Sequence, residues 1–267
     1  MIPRLALVLL TTMLLAAPSG CATWRAAPRL PDRNSLVLDQ LVITSDAPLP
    51  AQHRLLEELR LQRSQLSTKL GLPLSDEPIH VYLFSSSEKL AAFMRVQFPD
   101  VPERRAFFVE TDTRLSVYAY WGDRVAEDLR HEVAHGYLHA VVPRLPLWLD
   151  EGLAEYFEVP RGMDGVNRPH VERLLAEMAQ GWRPNLQRLE SLESTGELKL
   201  THYAESWAWV SLLLDSNPQR RAMLQAYLQS LRQPQGVAPL SEQVRVQIPS
   251  AEQQLLDYLG ALHHTLR

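Results

Sequence analysis

His131-Glu132-Val133-Ala134-His135 sets two imidazoles four residues apart around an acid. On an α-helix His131 and His135 lie about 40° apart and one turn apart along the axis. Both rings can converge on one divalent cation at the ~2.0–2.1 Å of a zinc–nitrogen bond. Glu132 sits on the flank of that face, too oblique to ligate but placed to accept a proton from a water on the ion. A surface helix with two histidines would satisfy the same five residues, so the downstream sequence decides.

A second segment supplies what the first lacks. Residues 147–158 read as a helix with Leu149, Leu153, Ala154 and Phe157 as its apolar stripe, and Glu151 and Glu155 one turn apart on a neighbouring face. A catalytic zinc takes three protein ligands and keeps a further position open. Glu151 is the expected third ligand. Glu155 is the expected partner for a ligand histidine's other ring N–H, fixing its tautomer. Gly152 is expected to let the two helices approach closely. His139 stands eight residues after His131, about 12 Å further along the axis. It cannot share an ion with His131 and reads as a satisfied or solvent-facing histidine.

On these residues the chain resembles the gluzincin metallopeptidases, most closely the peptidase MA-like group. There H-E-x-x-H is followed by a W-L-x-E-G-x-A-E-Y helix whose first glutamate binds zinc. Fifteen residues separate His135 from Glu151, fewer than is usual in the aminopeptidase branch, and Pro143 and Pro146 suit a tight connection. The metzincin pattern needs glycine at 138 and histidine at 141; Leu138 and Val141 stand there. The resemblance covers about residues 36–215. It implies a zincin-like fold, one Zn2+ on His131, His135 and Glu151, and peptide hydrolysis by a zinc-bound water with Glu132 as general base. It also implies a downstream tyrosine donating to the oxyanion. Tyr203 corresponds in placement, with His202 as a competitor and a capping or packing role as the alternative. Residues 115–120 are similar in position to the edge strand along which such enzymes lay a peptide, with an interior strand as the alternative.

The elements that must position these groups are legible in outline. Residues 36–44, 79–84, 106–110 and 115–120 are β-rich, and Leu55, Leu59, Leu66 and Leu70 recur at helical spacing before Gly71. A short helix is expected from Ser87. Beyond Asp123 helical patterns dominate, at 124–142, 147–158, 168–180, 202–215, 218–232 and 250–264. The fold class expected is α+β. A small mixed sheet with the metal helices occupies residues 36–160, and a mainly helical lobe, 161–267, completes a cleft.

The N-terminus reads as an address. Residues 5–17 are apolar but for Thr11 and Thr12, shorter than the ~20 residues that span a bilayer and suited to a secretory h-region. Ser19-Gly20-Cys21 resembles a bacterial lipobox, although Pro18 replaces its usual aliphatic residue. The resemblance implies removal of residues 1–20, lipidation of Cys21 and a tether over 21–35. Ala22, in place of aspartate, implies the outer membrane facing the periplasm. The alternative is an ordinary secretory peptide. Cys21 is the only cysteine, which excludes a disulfide framework and a thiolate zinc site. Lys and Arg number 27 against 31 Asp and Glu, a balance that disfavours nucleic acid as the main partner. Nothing in the sequence sets an oligomeric state.

The expected function is a zinc-dependent peptidase acting on peptide or protein substrates and held at the envelope membrane through Cys21. One alternative is a zinc-binding lipoprotein that serves as an envelope scaffold or assembly factor, against which the intact Glu132 counts. Hydrolysis of another amide, such as one in the cell wall, would use the same site chemistry.

Overall fold

Asp39, at φ 50°, makes the tight turn between β1 (Asn34–Leu38) and β2 (Leu41–Ser45), an antiparallel hairpin; aspartate tolerates this left-handed region better than most residues. The structure is a computed structural model that describes residues 28–50 and 52–266. The expected signal segment and Cys21 lie outside the described residues. α1 (Arg54–Leu70) starts where the His53 ring accepts the Leu55 N–H and stops at Gly71, φ 64°, a left-handed C-terminal cap. β3 (Ile79–Phe84), α2 (Ser87–Gln97), β4 (Ala106–Thr111) and β5 (Arg114–Tyr120) follow.

The five strands form one mixed sheet in the order β1-β2-β3-β5-β4, with β2, β3 and β5 parallel and both outer pairings antiparallel. The expectation of an edge strand at residues 115–120 is therefore corrected. β5 pairs with β3 on one side and β4 on the other, and β4 is the edge. Burial gives the reason, since Leu115, Ser116, Val117, Tyr118 and Ala119 are all buried. A strand covered on both faces belongs inside a sheet.

α3 (Val125–His139) crosses β3, β4 and β5 on one face. On the other, Phe84, Phe93, Phe107 and Tyr118 gather into an aromatic cluster with α2, and Leu30 packs on it. Packing thus begins within the segment read as a tether. The chain continues through α4 (Leu147–Phe157), α5 (Arg168–Ala179), α6 (Leu186–Glu190), α7 (Leu200–Asp215), α8 (Pro218–Leu231), α9 (Leu240–Gln247) and α10 (Ala251–Thr265). A small mixed sheet followed by a mainly helical remainder is the α+β architecture expected; α6 and α9 are short additions.

α4 is the pivot of the molecule. It packs on α3 and, more extensively, on α7, whose residues 204–214 are all buried. Trp148, Trp207 and Trp209 are fully buried in this layer. Gly152 lies at the α4–α7 crossing. A Cβ there would stand 2.6 Å from the Ser206 carbonyl oxygen and 2.9 Å from Val210 Cγ2. The close approach expected of Gly152 is thus to α7 rather than to the histidine helix. Among the described residues no helix is long and apolar enough to cross a membrane.

Candidate metal centre

α3 presents His131, Glu132 and His135, and α4 presents Asp150, Glu151 and Glu155 with Glu158 just past its end. His131 Nε2 and His135 Nε2 are 3.2 Å apart, and Glu151 Oε2 lies 3.6 Å from the first and 3.7 Å from the second. A tetrahedral zinc with bonds near 2.0–2.1 Å needs donor atoms about 3.4 Å apart. The three atoms fit that requirement, and two imidazoles with a carboxylate are a ligand set zinc accepts. His135 and Glu151 are buried, and His131 is nearly so.

Each histidine is turned toward that point by a carboxylate on its far nitrogen. Glu158 Oε2 lies 2.9 Å from His131 Nδ1, and Asp150 Oδ1 lies 2.8 Å from His135 Nδ1. Such bonds fix the tautomer that leaves Nε2 free to ligate. Glu155 does not have the part expected of it. Its carboxylate lies 2.7 Å from His170 Nε2 and also takes an Asn167 amide N–H. The N-terminal turn of α5 brings His170 against α4, and Glu155 is drawn to it. Spacing could have found Glu158, which follows Glu151 by seven residues and so lies two turns on and about 20° round. Asp150 offered no such signal beyond its place beside the ligand.

The chain of bonds continues outward. The second oxygen of Asp150 lies 3.0 Å from His139 Nε2, and His139 Nδ1 lies 2.6 Å from Glu110 on β4. His139 is thus a satisfied histidine, as expected. The Phe108 ring packs against both His135 and His139.

The site favours positive charge. Burial alone would push the His131 imidazole down, but Glu151 and Glu158 outweigh it and hold the ring well above its ordinary value. His135 is raised despite burial, chiefly by Asp150. Burial works against ionised Asp150, yet His135 and His139 hold it below the usual carboxylate range. For Glu132, burial pushes the carboxyl up, with the two histidines moderating the rise. The Glu132 side chain makes no hydrogen bond or ion pair among the described residues, so its carboxylate is uncommitted.

His131, Glu132 and Tyr203 line one cavity of ≈ 770 Å³, together with Glu155, Glu158, His170 and the 159–169 connection. Burial, then the charge of Glu151, pushes the Tyr203 phenol up to about 12, so it is a donor at neutral pH. His202 is engaged at the start of α7, where its Nδ1 accepts the Lys199 N–H. The cleft therefore receives Tyr203 and not the imidazole beside it.

No family model and no curated protein matches this sequence. Among solved structures the chain is similar to an M1 zinc metallopeptidase from Deinococcus radiodurans, at 20% identity and a TM-score of 0.42, over 86% of this chain and 51% of that one. It is similar to a point mutant of an M1 zinc metallopeptidase from the same organism at 19% identity and a TM-score of 0.41, over 85% and 51%. The chain spans about half the length of these neighbours.

Proposed function

We propose that this chain is a zinc-dependent peptidase, exported and held at the outer membrane through lipidated Cys21. The observation that supports the peptidase reading is the triangle of His131 Nε2, His135 Nε2 and Glu151 Oε2, with sides of 3.2, 3.6 and 3.7 Å; export and anchoring rest on the sequence of residues 1–22 alone. A zinc ion there would polarise a carbonyl and lower the pKa of a water toward ~7. Glu132 takes the proton of the attacking water and hands it to the leaving nitrogen. Tyr203 donates its O–H to the substrate carbonyl oxygen as negative charge collects there. Asp150 and Glu158 hold the imidazoles in the ligating tautomer throughout.

The deciding experiment pairs zinc content with hydrolysis of an unfolded protein such as casein. Wild-type protein binds one zinc and cleaves; Glu132→Gln binds zinc and loses at least about 10²-fold in turnover. Metal uptake without cleavage by the wild type would favour the scaffold reading, and a fully active Glu132→Gln would end the proposed mechanism.

A further inference from the structure

We infer that the cleft is built to receive acidic peptide segments, selected by Arg104, Arg161 and Arg173. This rests on the peptidase reading of the same site and names the substrate class it takes.

The charges of the cavity wall divide unevenly once internal pairs are set aside. Five carboxylates line it: Glu127, Asp128, Glu132, Glu155 and Glu158. Asp128 is held by both arms of Arg105, at 2.7 and 3.0 Å, and Glu127 by Arg124. Glu155 is bonded to His170 and Glu158 to His131. Glu132 alone is uncommitted, and it stands where the proton transfer is placed.

The cations are not used up in the same way. Arg105 and Arg124 are paired as above, and Arg168 is paired with Glu172 at 2.8 Å. Arg161 and Arg173 line the cavity and are exposed, and their side chains make no hydrogen bond or ion pair among the described residues. The charge of Arg161 reaches Glu57, but that carboxylate is already bonded by Arg60. Arg104 is exposed and equally unpaired. It adjoins Arg105 on the wall, and its charge acts on both Glu132 and Tyr203.

Two free guanidinium groups therefore line the cavity, from the α4–α5 connection and from α5, and the charge of a third, Arg104 in the segment before β4, reaches Glu132 and Tyr203 inside it. The five arginines of the lining balance its five carboxylates, so the wall is formally neutral in a chain whose net charge is -4, and the charges its internal pairs leave free are mainly positive. Such an asymmetry around a cleft focuses its field and raises the local concentration of anionic ligands. Guanidinium matches a carboxylate with two parallel donors. An Asp- or Glu-bearing peptide gains those bonds; a Lys-bearing one is repelled.

The test measures binding apart from turnover. Fluorescent peptides identical except for Glu, Gln or Lys at alternate positions are titrated against the full Glu132→Gln chain, loaded with zinc, by anisotropy. At low salt the Glu peptide is expected to bind about tenfold tighter than the Lys peptide, each exposed ion pair adding up to about fivefold. The preference should shrink in about 0.5 M NaCl. It should fall to within about twofold when Arg104→Gln, Arg161→Gln and Arg173→Gln are combined, and survive Arg245→Gln, which removes a charge outside the cleft. Equal binding of the Glu and Lys peptides, or a preference that survives the triple substitution, overturns the inference. So does capture of the chain by phosphatidylglycerol vesicles through these arginines with no binding of the Glu peptide. Wild-type protein that hydrolyses all three peptides at equal rates sinks the inference and leaves the peptidase reading intact. Charge-selective binding without casein hydrolysis does the reverse.

Discussion

Replacing Gly152 by alanine tests whether the α4–α7 contact sets the metal centre. In an exposed helix the change would help, since alanine is favoured over glycine by about 1 kcal/mol. Here the added methyl would meet Ser206 O at 2.6 Å and Val210 Cγ2 at 2.9 Å. Ordinary contact begins at 3.4 Å, so the helices must part by about 0.8 Å. Overpacking against backbone falls at the costly end of about 1–3 kcal/mol. With the helix gain subtracted, the net loss is about 2 kcal/mol, or about 4–8 °C in Tm for a chain of this size. Glu151 precedes the substituted residue and shares its displacement. Metal–ligand distances tolerate only about 0.2 Å of change, so zinc affinity should drop at least about tenfold. Calorimetry of the zinc-free protein reads the first effect, and titration against a competing chelator reads the second. A metal-free Tm within about 1 °C of wild type, with unchanged zinc affinity, would refute the packing argument.

Asp150→Asn and Glu158→Gln should each weaken zinc binding by about 10–100-fold with little change in fold; chelator competition with a circular dichroism control decides it. Tyr203→Phe should lower kcat by about 10²-fold, with KM and zinc content near wild type; full activity would move the oxyanion donor elsewhere. His139 supplies a pH dependence. Burial pulls its pKa down, but Asp150 and Glu110 raise it from 6.5 to about 9. Its ionic contribution is therefore complete below pH 6.5 and lost as pH rises through about 9, worth at most about 3 kcal/mol. In the zinc-free protein the stability gap between wild type and His139→Gln, measured by urea unfolding, should narrow from pH 6 to about pH 10. A gap of constant size would show that the imidazole does not carry that charge.

The histidine and glutamate positions are legible because a helix converts sequence spacing into direction without help from the rest of the chain. His131 and His135 share a face by arithmetic alone, and the Glu151 segment announces itself by its apolar stripe. What escapes depends on contacts distant in sequence. Residues 115–120 carry no mark of which strands flank them, and their interior place follows from pairing with β3, over thirty residues earlier. Glu155 is misread from spacing because the competitor for its carboxylate, His170, arrives on another helix after a connection whose path no local rule sets. The partner of Gly152 is hidden for the same reason, since Ser206 lies fifty-four residues downstream. Helix boundaries, governed by caps such as His53 and Gly71, fall within a few residues of the pattern.

The arrangement of α4 has a mechanical consequence. Asp150, which steers one imidazole, and Glu151, which closes the donor triangle, ride on a single rod wedged against α7, while both imidazoles ride on another. Any slippage between the two rods changes both carboxylate–imidazole sides of the triangle at once, so the jaw has no half-shut arrangement to rest in. Grip on the cation and seating of the rod become one event, and loss of either should appear as an all-or-none transition rather than as gradual fraying.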